Sequence, residues 1–263
     1  MFKSKTKILQ LFVTLTACTF LFVPMVLSLL AGVTSNYFKG VSSGLTLKWV
    51  FKVWELYADS IFLSMGLAFA CLIVTLIIGI PAAYGLARHP GWLSRLLEEF
   101  ISLPLAIPGL AIALALLQLY GSLKGFRASW TFILVGHVLY TLPFMVRSIL
   151  AVLSSMDLKT LEEGAASLGA SSWQRFRDIV VPNAMPGILA GALTVVTLSI
   201  GEFNITWMLH TPHLKTLPVG LADSYASMRL EIASAYTLVF FILIVPLLVA
   251  MQWASARAQR ITQ

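Results

Sequence analysis

The chain has 263 residues, of which 59% are hydrophobic and only 11% are charged, and its mean hydropathy is +0.89. Soluble domains contain about 25% charged residues, so this composition excludes an ordinary soluble domain and indicates an integral membrane protein. The net charge of +7 does not indicate a nucleic-acid binder, because the basic residues flank apolar runs and are not gathered on one face.

Six apolar runs are each long enough, at about 20 residues, to cross a hydrocarbon layer of about 30 Å as a helix. They cover residues 8–30, 60–86, 101–120, 130–150, 185–209 and 233–253. The first run follows three lysines, as a signal peptide would, but the apolar part of a signal peptide has only about 7–15 residues. We therefore expect an uncleaved anchor and an all-α membrane protein with six transmembrane helices in a single domain, residues 1–263.

The distribution of basic residues predicts the orientation. Six spans place both termini on one side of the membrane, and eleven of the 18 Lys and Arg residues fall on that side. Basic residues are more abundant in cytoplasmic loops, so we expect both termini to be cytoplasmic. Residues 31–59 then face outward, and four aromatic residues there favour a helix at headgroup level: Trp49, Phe51, Trp54 and Tyr57.

A polar, helix-forming segment, residues 157–182, separates the fourth and fifth runs on the predicted cytoplasmic side. Apolar residues near its start recur at spacings of three and four: Leu158, Leu161, Ala165 and Leu168. This spacing is typical of one helical face. Asp157 is placed to cap the start of the helix, and Gly169 stands where helices commonly end in a left-handed residue.

A second short helix is predicted after Gly169. Ser171 or Ser172 can cap it, and Pro182 is expected to end it. Its apolar residues are Trp173, Phe176 and Ile179, and four charged residues of the segment are expected to be free for a partner: Glu162, Glu163, Arg175 and Arg177. Residues 157–182 are thus expected to form two short helices joined near Gly169, which we call the elbow. The residues alone favour equally an elbow that packs on its own protein and one that docks on another protein.

The same segment resembles the EAA motif of binding-protein-dependent ABC transporter permeases, whose pattern is E-A-A-x3-G-x9-I-x-L-P. Here the pattern is Glu163-Gly164-Ala165, three residues, Gly169, nine residues and then Ile179-Val180-Val181-Pro182, so every spacing is kept. Gly164 replaces an alanine and Val181 replaces a leucine. Four further segments resemble permeases for polyamines, 2-aminoethylphosphonate, ferric iron and sulfate: residues 101–109, 183–191, 198–203 and 216–221.

The resemblance implies a type I ABC importer permease fold in which this elbow is the coupling helix, seated in a groove of a separate ATPase. Glu163 would meet a basic residue of that ATPase, and Gly169 would set the angle between the two short helices. The coupling residues implied in this way are Leu161, Glu162, Glu163, Gly164, Ala165, Leu168, Gly169, Ile179 and Pro182.

The resemblance also implies the partners. These are a cytoplasmic ABC ATPase dimer, a second permease subunit that is usually a different chain, and an extracytoplasmic solute-binding protein, all at a bacterial inner membrane. The chain has no G-x-x-x-x-G-K-[ST] phosphate loop, so ATP and Mg are expected on the ATPase. We therefore expect this chain to be no enzyme and to hold no cofactor or metal.

Two polar residues near the end of the fifth run, Glu202 and Asn204, are candidates for the translocation pathway. A buried charge there costs at least about 2.5 kcal/mol unless it is paired or hydrated. The alternative for Glu202 is a structural pair with a polar group of a neighbouring helix. We expect His137 to make an interhelical hydrogen bond, and we expect Gly187 and Gly191 to allow close helix packing.

The predicted function is one permease subunit of an ATP-driven ABC importer for a small polar solute, similar to 2-aminoethylphosphonate or a polyamine. Ferric iron and sulfate are alternative solutes. A secondary transporter driven by an ion gradient would usually show an internal repeat, and the chain has no second copy of the elbow. A membrane scaffold without transport remains a further alternative.

Overall fold

A computed structural model describes residues 2–261, and the side chains of all of these except residues 2–6, 8, 254, 255 and 257–261. The described chain is almost entirely helical, with only isolated β-bridges. Short 3-10 and π-helical turns cover Gly40–Ser43 and Phe176–Val180. The α-helices are α1 (Phe2–Ala31), α2 (Lys48–Arg88), α3 (Trp92–Ala106), α4 (Gly109–Tyr120), α5 (Lys124–Arg127), α6 (Trp130–Leu153), α7 (Leu158–Ser167), α8 (Ser172–Arg175), α9 (Val181–Gly201), α10 (Asn204–Leu209), α11 (Leu217–Ala226) and α12 (Leu230–Ile261).

Five helical stretches within residues 2–261 are long and apolar enough to cross a membrane, and a sixth span results if α3 and α4 together count as one. The stretches Leu9–Ala31, Trp130–Leu153 and Leu230–Trp253 confirm the first, fourth and sixth predicted runs within a few residues. The second run is longer than predicted, because α2 begins at Lys48 and includes the segment expected to lie at headgroup level. Tyr57 interrupts α2 with non-helical angles of φ −133° and ψ 16°.

The span expected over residues 101–120 is bent within its length. Helices α3 and α4 meet at an angle of 104°, and α3 begins earlier than expected, at Trp92. Ile107 has extended angles of φ −95° and ψ 128°. A proline disfavours helical geometry in the residue before it, so Pro108 explains why the helix breaks at Ile107.

The fifth predicted run, residues 185–209, is also divided. Helix α9 ends at Gly201, Glu202 has an extended ψ of 121°, and α10 then begins at Asn204. An apolar run reports only that a segment can be buried in lipid, so its length does not show where the backbone turns.

The described chain forms two compact units. The first contains the residues up to Ala58 together with Gly220–Val245. In it α1 and α12 approach closely, because a Cβ atom on Gly32 would lie 2.6 Å from the carbonyl oxygen of Ser234. The Tyr57 ring lies 4.9 Å from the Tyr236 ring, and the Tyr57 hydroxyl accepts a hydrogen bond from Ser224.

The second unit contains Asp59–Val219 and the residues from Pro246 onward. Its main helix pair is α6 and α9. A Cβ atom on Gly187 would lie 2.5 Å from the carbonyl oxygen of Ser148, and one on Gly191 would lie 2.8 Å from the sulfur of Met145. These contacts confirm the predicted close packing at the two glycines. The surrounding core comes from α2, α6, α7, the π-helical turn and α9, and includes Cys71, Ala83, Leu86, Met145, Val146, Ile149, Leu153, Leu158, Val180, Ala184, Ile188 and Val195.

Candidate functional site

The first arm of the elbow is α7, and both of its ends have the predicted signals. Asp157 caps the start, because its carboxylate accepts hydrogen bonds from the backbone N–H and the hydroxyl of Thr160 at 3.2 and 2.7 Å. These bonds stabilise the ionised form and hold the pKa of Asp157 below its usual value. At the other end Gly169 has a φ of +86°. The N–H groups of Gly169 and Ala170 donate to the carbonyls of Ala166 and Ala165, which gives a Schellman C-cap.

The second arm is α8, which the predicted Ser171 caps. The hydroxyl of Ser171 accepts from the N–H of Gln174, and the Gln174 side chain accepts from the N–H of Ser171, so the two residues form a capping box. The expectation that Pro182 ends this helix is wrong. Helical structure continues from Ser172 to Gly201 through the π-helical turn. Pro182 has no N–H to donate to the preceding turn, and the wider π-helical turn directly before it shifts the hydrogen-bond register.

Glu162 is not free to reach a partner, which corrects the prediction. Only 4% of its surface is exposed, whereas the neighbouring Glu163 is exposed. The Tyr84 hydroxyl donates to Glu162 Oε1 at 2.5 Å, and Arg88 Nε lies 3.4 Å from Oε2. Successive helical residues point about 100° apart, so one glutamate faces the end of α2 and the next faces outward.

The outward surface of the elbow combines apolar and charged side chains. Leu168 is 89% exposed and Trp173 is 65% exposed. Glu163 lies 3.8 Å from Lys159, and Arg177 forms an exposed ion pair with Asp178 at 2.7 Å. Exposed ion pairs of this kind contribute little stability, at most about 1 kcal/mol, so their charges can be exchanged for those of another protein.

A cavity of about 460 Å³ lies beside the elbow, between α7 and the ends of α2 and α6. Arg88, His89, Lys159 and Arg175 contribute basic groups to its wall, and Asp157, Glu162 and Glu163 contribute acidic ones. Among the described residues, the Nε atom of Arg175 is buried without a hydrogen-bond partner. Charged side chains of both signs therefore line part of the cavity wall.

The second candidate region surrounds Glu202, and the geometry supports the structural alternative for this residue. Glu202 is only 8% exposed. Its Oε1 accepts from the N–H of Ile205 at 2.7 Å, and its Oε2 accepts from the N–H and the hydroxyl of Thr206 at 2.9 and 2.8 Å. Glu202 therefore caps the first turn of α10, which is the kind of structural role that the sequence left open as the alternative for this residue.

His137 completes this buried polar cluster. Its Nδ1 lies 2.8 Å from the Ser199 hydroxyl, and its Nε2 lies 2.8 Å from the Thr206 hydroxyl and 3.8 Å from Glu202 Oε2. Both ring nitrogens have partners on other helical elements, which confirms the predicted interhelical hydrogen bonding. The cluster ties α6, the end of α9 and the start of α10 together at the helix break.

A cavity of about 240 Å³ opens at this break. Its wall includes Tyr140 of α6, Gly109 of α4 and Thr197 of α9, together with Glu202 and Asn204. Asn204 is exposed, so of the two predicted pathway residues it is the one whose side chain remains accessible.

Residues 75–260 match the family described as the binding-protein-dependent transport system inner membrane component. This range contains the elbow, the helix break and both cavities. The chain belongs to this family.

Relatives of the permease are named for different solutes. It is 30% identical to the molybdenum transport system permease protein ModB of Haemophilus influenzae, over 77% of this chain and 95% of ModB. It is 27% identical to the putative 2-aminoethylphosphonate transport system permease protein PhnV of Salmonella typhimurium, over 77% of each chain. It is 32% identical to the probable sulfate transport system permease protein CysT of Chlorella vulgaris, over 56% of this chain and 59% of CysT.

Solved ABC transporter structures have the same fold. The permease matches a chain of a bacterial alginate ABC transporter with a TM-score of 0.75 and 16% identity, over 100% of this chain and 98% of that one. It matches a chain of the MetNI methionine ABC transporter with a TM-score of 0.64 and 18% identity, over 81% of this chain and 98% of that one. The permease is thus an all-α, multi-pass membrane protein with the ABC importer permease fold.

Proposed function

We propose that the permease forms half of the translocation pathway of an ABC importer, and that its elbow docks on a cytoplasmic ATPase dimer that binds ATP and Mg. A second permease subunit, expected to be a different chain, would supply the other half, and an extracytoplasmic protein would deliver the solute. In this arrangement the elbow and both termini are cytoplasmic. Family membership makes this chain a transport subunit and not a catalytic one.

The observation that carries this proposal is the exposed face of a rigidly capped elbow. Both arms are fixed at their ends by local hydrogen bonds, yet Leu161, Leu168 and Trp173 point large apolar surfaces outward. A segment that is both ordered and apolar on its outer surface is typical of an interaction site. Glu163 is also exposed and is the residue that we expect to pair with a basic group of the ATPase.

For the pathway, we propose that solute passes the cavity at the α9–α10 break and contacts Asn204 there. Both oxygens of the Glu202 carboxylate already accept hydrogen bonds from Ile205 and Thr206, so they are less available to the amino groups of a polyamine. The named solutes of the relatives, sulfate and 2-aminoethylphosphonate among them, carry negative charge. We therefore favour a small anionic or zwitterionic solute of the 2-aminoethylphosphonate kind over a polyamine.

The docking proposal predicts the outcome of a co-purification from detergent-solubilised native membranes. We expect the wild-type permease to retain an ABC-type ATPase and the double variant Glu163→Ala, Gly169→Pro to lose it. Proline at 169 cannot adopt the observed φ of +86° and removes the N–H that bonds to Ala166, so the two arms would no longer keep their angle.

Gly164→Ala is the matched control within the same arm. A Cβ atom at Gly164 would meet no described atom within 4 Å, and alanine favours a helix over glycine by up to about 1 kcal/mol. This variant should retain the ATPase as the wild type does. If the wild type retains none while the protein stays folded, the importer proposal fails.

A further inference from the structure

The buried carboxylate of Glu162 has a position that ATPase docking does not require. It points away from the exposed face and into the C-terminal end of α2. Tyr84 donates to one of its oxygens at 2.5 Å, Arg88 lies 3.4 Å from the other, and Arg88 Nη1 donates to the Tyr84 hydroxyl at 2.9 Å. The three side chains thus close a ring of polar contacts, which we name the Glu162 joint.

The second arm of the elbow touches the same end of α2. The ring of Phe176, in the π-helical turn, lies 5.4 Å from the ring of Tyr84. Phe176 in turn stacks on Trp173 at 5.7 Å, and Trp173 belongs to the exposed surface. Tyr84 is therefore in contact with both arms of the elbow, one through a hydrogen bond and the other through its ring.

Stability alone is a weak reason for this arrangement. A buried ion pair is often no more stable than apolar side chains of similar volume, because both charges lose their hydration. Buried polar contacts do, however, fix one geometry, because each donor and acceptor accepts only a narrow range of positions. The Glu162 joint should therefore resist sliding and rotation between α7 and α2 more than a purely apolar contact would.

Helix α2 continues from the joint to the helices around the Glu202 cluster. A Cβ atom on Gly79 would lie 2.7 Å from the Met145 side chain of α6, and the Cys71 sulfur lies 3.2 Å from the Thr141 hydroxyl. Thr141 donates to the carbonyl of His137, which contacts the α9–α10 break. Contiguous contacts therefore connect the elbow with the cavity at the break.

We propose that the Glu162 joint couples the elbow rigidly to α2, so that movement of the elbow on the ATPase displaces α2 as one body. This inference rests on the proposed function and deepens it. Glu162, Tyr84 and Arg88 are positioning residues, whereas Glu163, one residue further, makes the contact with the partner. The two adjacent glutamates therefore have separable roles, docking for Glu163 and transmission for Glu162.

The test uses the permease with its co-purified ATPase in lipid nanodiscs, and spin labels at Ala166 and Ile77. Both positions are exposed, Ala166 on the first arm of the elbow and Ile77 at 67% on α2, and Cys18 and Cys71 are replaced by serine. Ala166 is not among the residues that we expect to contact the ATPase. In the otherwise wild-type protein we expect the same distance between the labels without nucleotide and with ATP and vanadate. In Glu162→Leu, which introduces an apolar side chain of similar size and removes the polar contacts, we expect the distance to shift when ATP and vanadate are added.

Each result decides between the roles. A Glu162→Leu protein that retains the ATPase but gives the wild-type distance in both conditions overturns the joint. A Glu162→Leu protein that is folded but has lost the ATPase also overturns it, since Glu162 would then be a docking residue. If Glu162→Leu does not fold, Tyr84→Phe replaces it, because this change removes only the hydroxyl that bonds to Glu162. We expect the distance between the labels to shift in Tyr84→Phe as well when ATP and vanadate are added.

A result against ATPase docking can be told apart from a result against the role of the Glu162 joint. Absence of the ATPase from the wild-type protein would remove the proposed function itself, and with it the joint. Glu163→Gln is the matched control in this experiment. It should lose bound ATPase, and so lose any response to nucleotide, while its distance without nucleotide stays that of the wild type.

Discussion

Replacing Gly187 by alanine is expected to force α6 and α9 apart and to lower sharply the yield of folded permease. The new Cβ atom would lie 2.5 Å from the carbonyl oxygen of Ser148 and 2.9 Å from the Cα atom of Ile149. Both neighbours belong to the backbone, so no side-chain rotation relieves the contact. Overpacking a core costs about 1–3 kcal/mol and sometimes more. Thermal unfolding in detergent, followed by tryptophan fluorescence, measures the loss.

Gly201→Ala provides the control in the same helix. Within the part of the chain that the structure describes, a Cβ atom on Gly201 would have no neighbour within 4 Å, and alanine favours a helix over glycine. Its unfolding temperature should equal that of the wild type or exceed it slightly. Equal unfolding temperatures for the Gly187 variant and the wild type would contradict the close packing of α6 on α9.

The second large effect is expected for Glu202→Ala. This change leaves the N–H groups of Ile205 and Thr206 without their acceptor at a buried helix start. An unsatisfied buried donor costs about 1–3 kcal/mol. Two N–H groups lose their acceptor in this variant, so the break between α9 and α10 should be destabilised by more than the cost of a single unsatisfied donor. We expect a lower unfolding temperature and faster proteolysis at the break.

Two further variants separate a structural role of Glu202 from a role in binding solute. Asn204→Ala changes an accessible side chain of the same cavity and should leave the unfolding temperature close to that of the wild type. Glu202→Gln keeps one acceptor oxygen but turns its NH₂ group toward the donors of either Ile205 or Thr206. Its unfolding temperature should therefore lie between those of the wild type and Glu202→Ala. Wild-type stability of Glu202→Ala would show that the carboxylate is not needed as a cap, and the pathway interpretation would return.

Local signals explain the parts of the structure that the sequence predicts well. Asp157, Gly169 and Ser171 act within four residues of themselves, so their residue types and positions suffice to predict the ends of the elbow arms. The apolar runs predict the membrane helices for a similar reason, since lipid requires about 20 apolar residues in succession. The resemblance to the family motif adds only the expected role of the two arms in coupling.

The sequence alone does not predict features that depend on distant residues. Glu162 and Tyr84 are 78 positions apart, and the helical pattern around Leu158 gives no sign that an acid on α7 will meet a tyrosine on α2. The sequence does not predict the break at Glu202 either, because residues 185–209 form one continuous apolar run. A local signal was nevertheless present there, since an acid just before the Asn204–Thr206 turn is a common way to cap a helix.

The π-helical turn before Pro182 is an intermediate case. A proline predicts a disturbance of the helix, but it does not predict whether the helix ends or shifts its hydrogen-bond register. Val180 and Ala184 are both buried in the core of the second unit. Their burial favours continuation of the helix across Pro182, and this requirement becomes visible only when α6 and α9 are packed together.

The most direct test of the account is a photo-crosslinking residue at Leu168 in native membranes, compared with the same residue at Ile77. Both side chains are largely exposed, but Leu168 lies on the elbow and Ile77 lies within a membrane-spanning helix. We predict that Leu168 crosslinks to an ABC-type ATPase, identified by mass spectrometry through its phosphate-binding loop, and that Ile77 does not. Crosslinking of neither position to such an ATPase, in membranes that contain the folded permease, would contradict the elbow as the coupling surface.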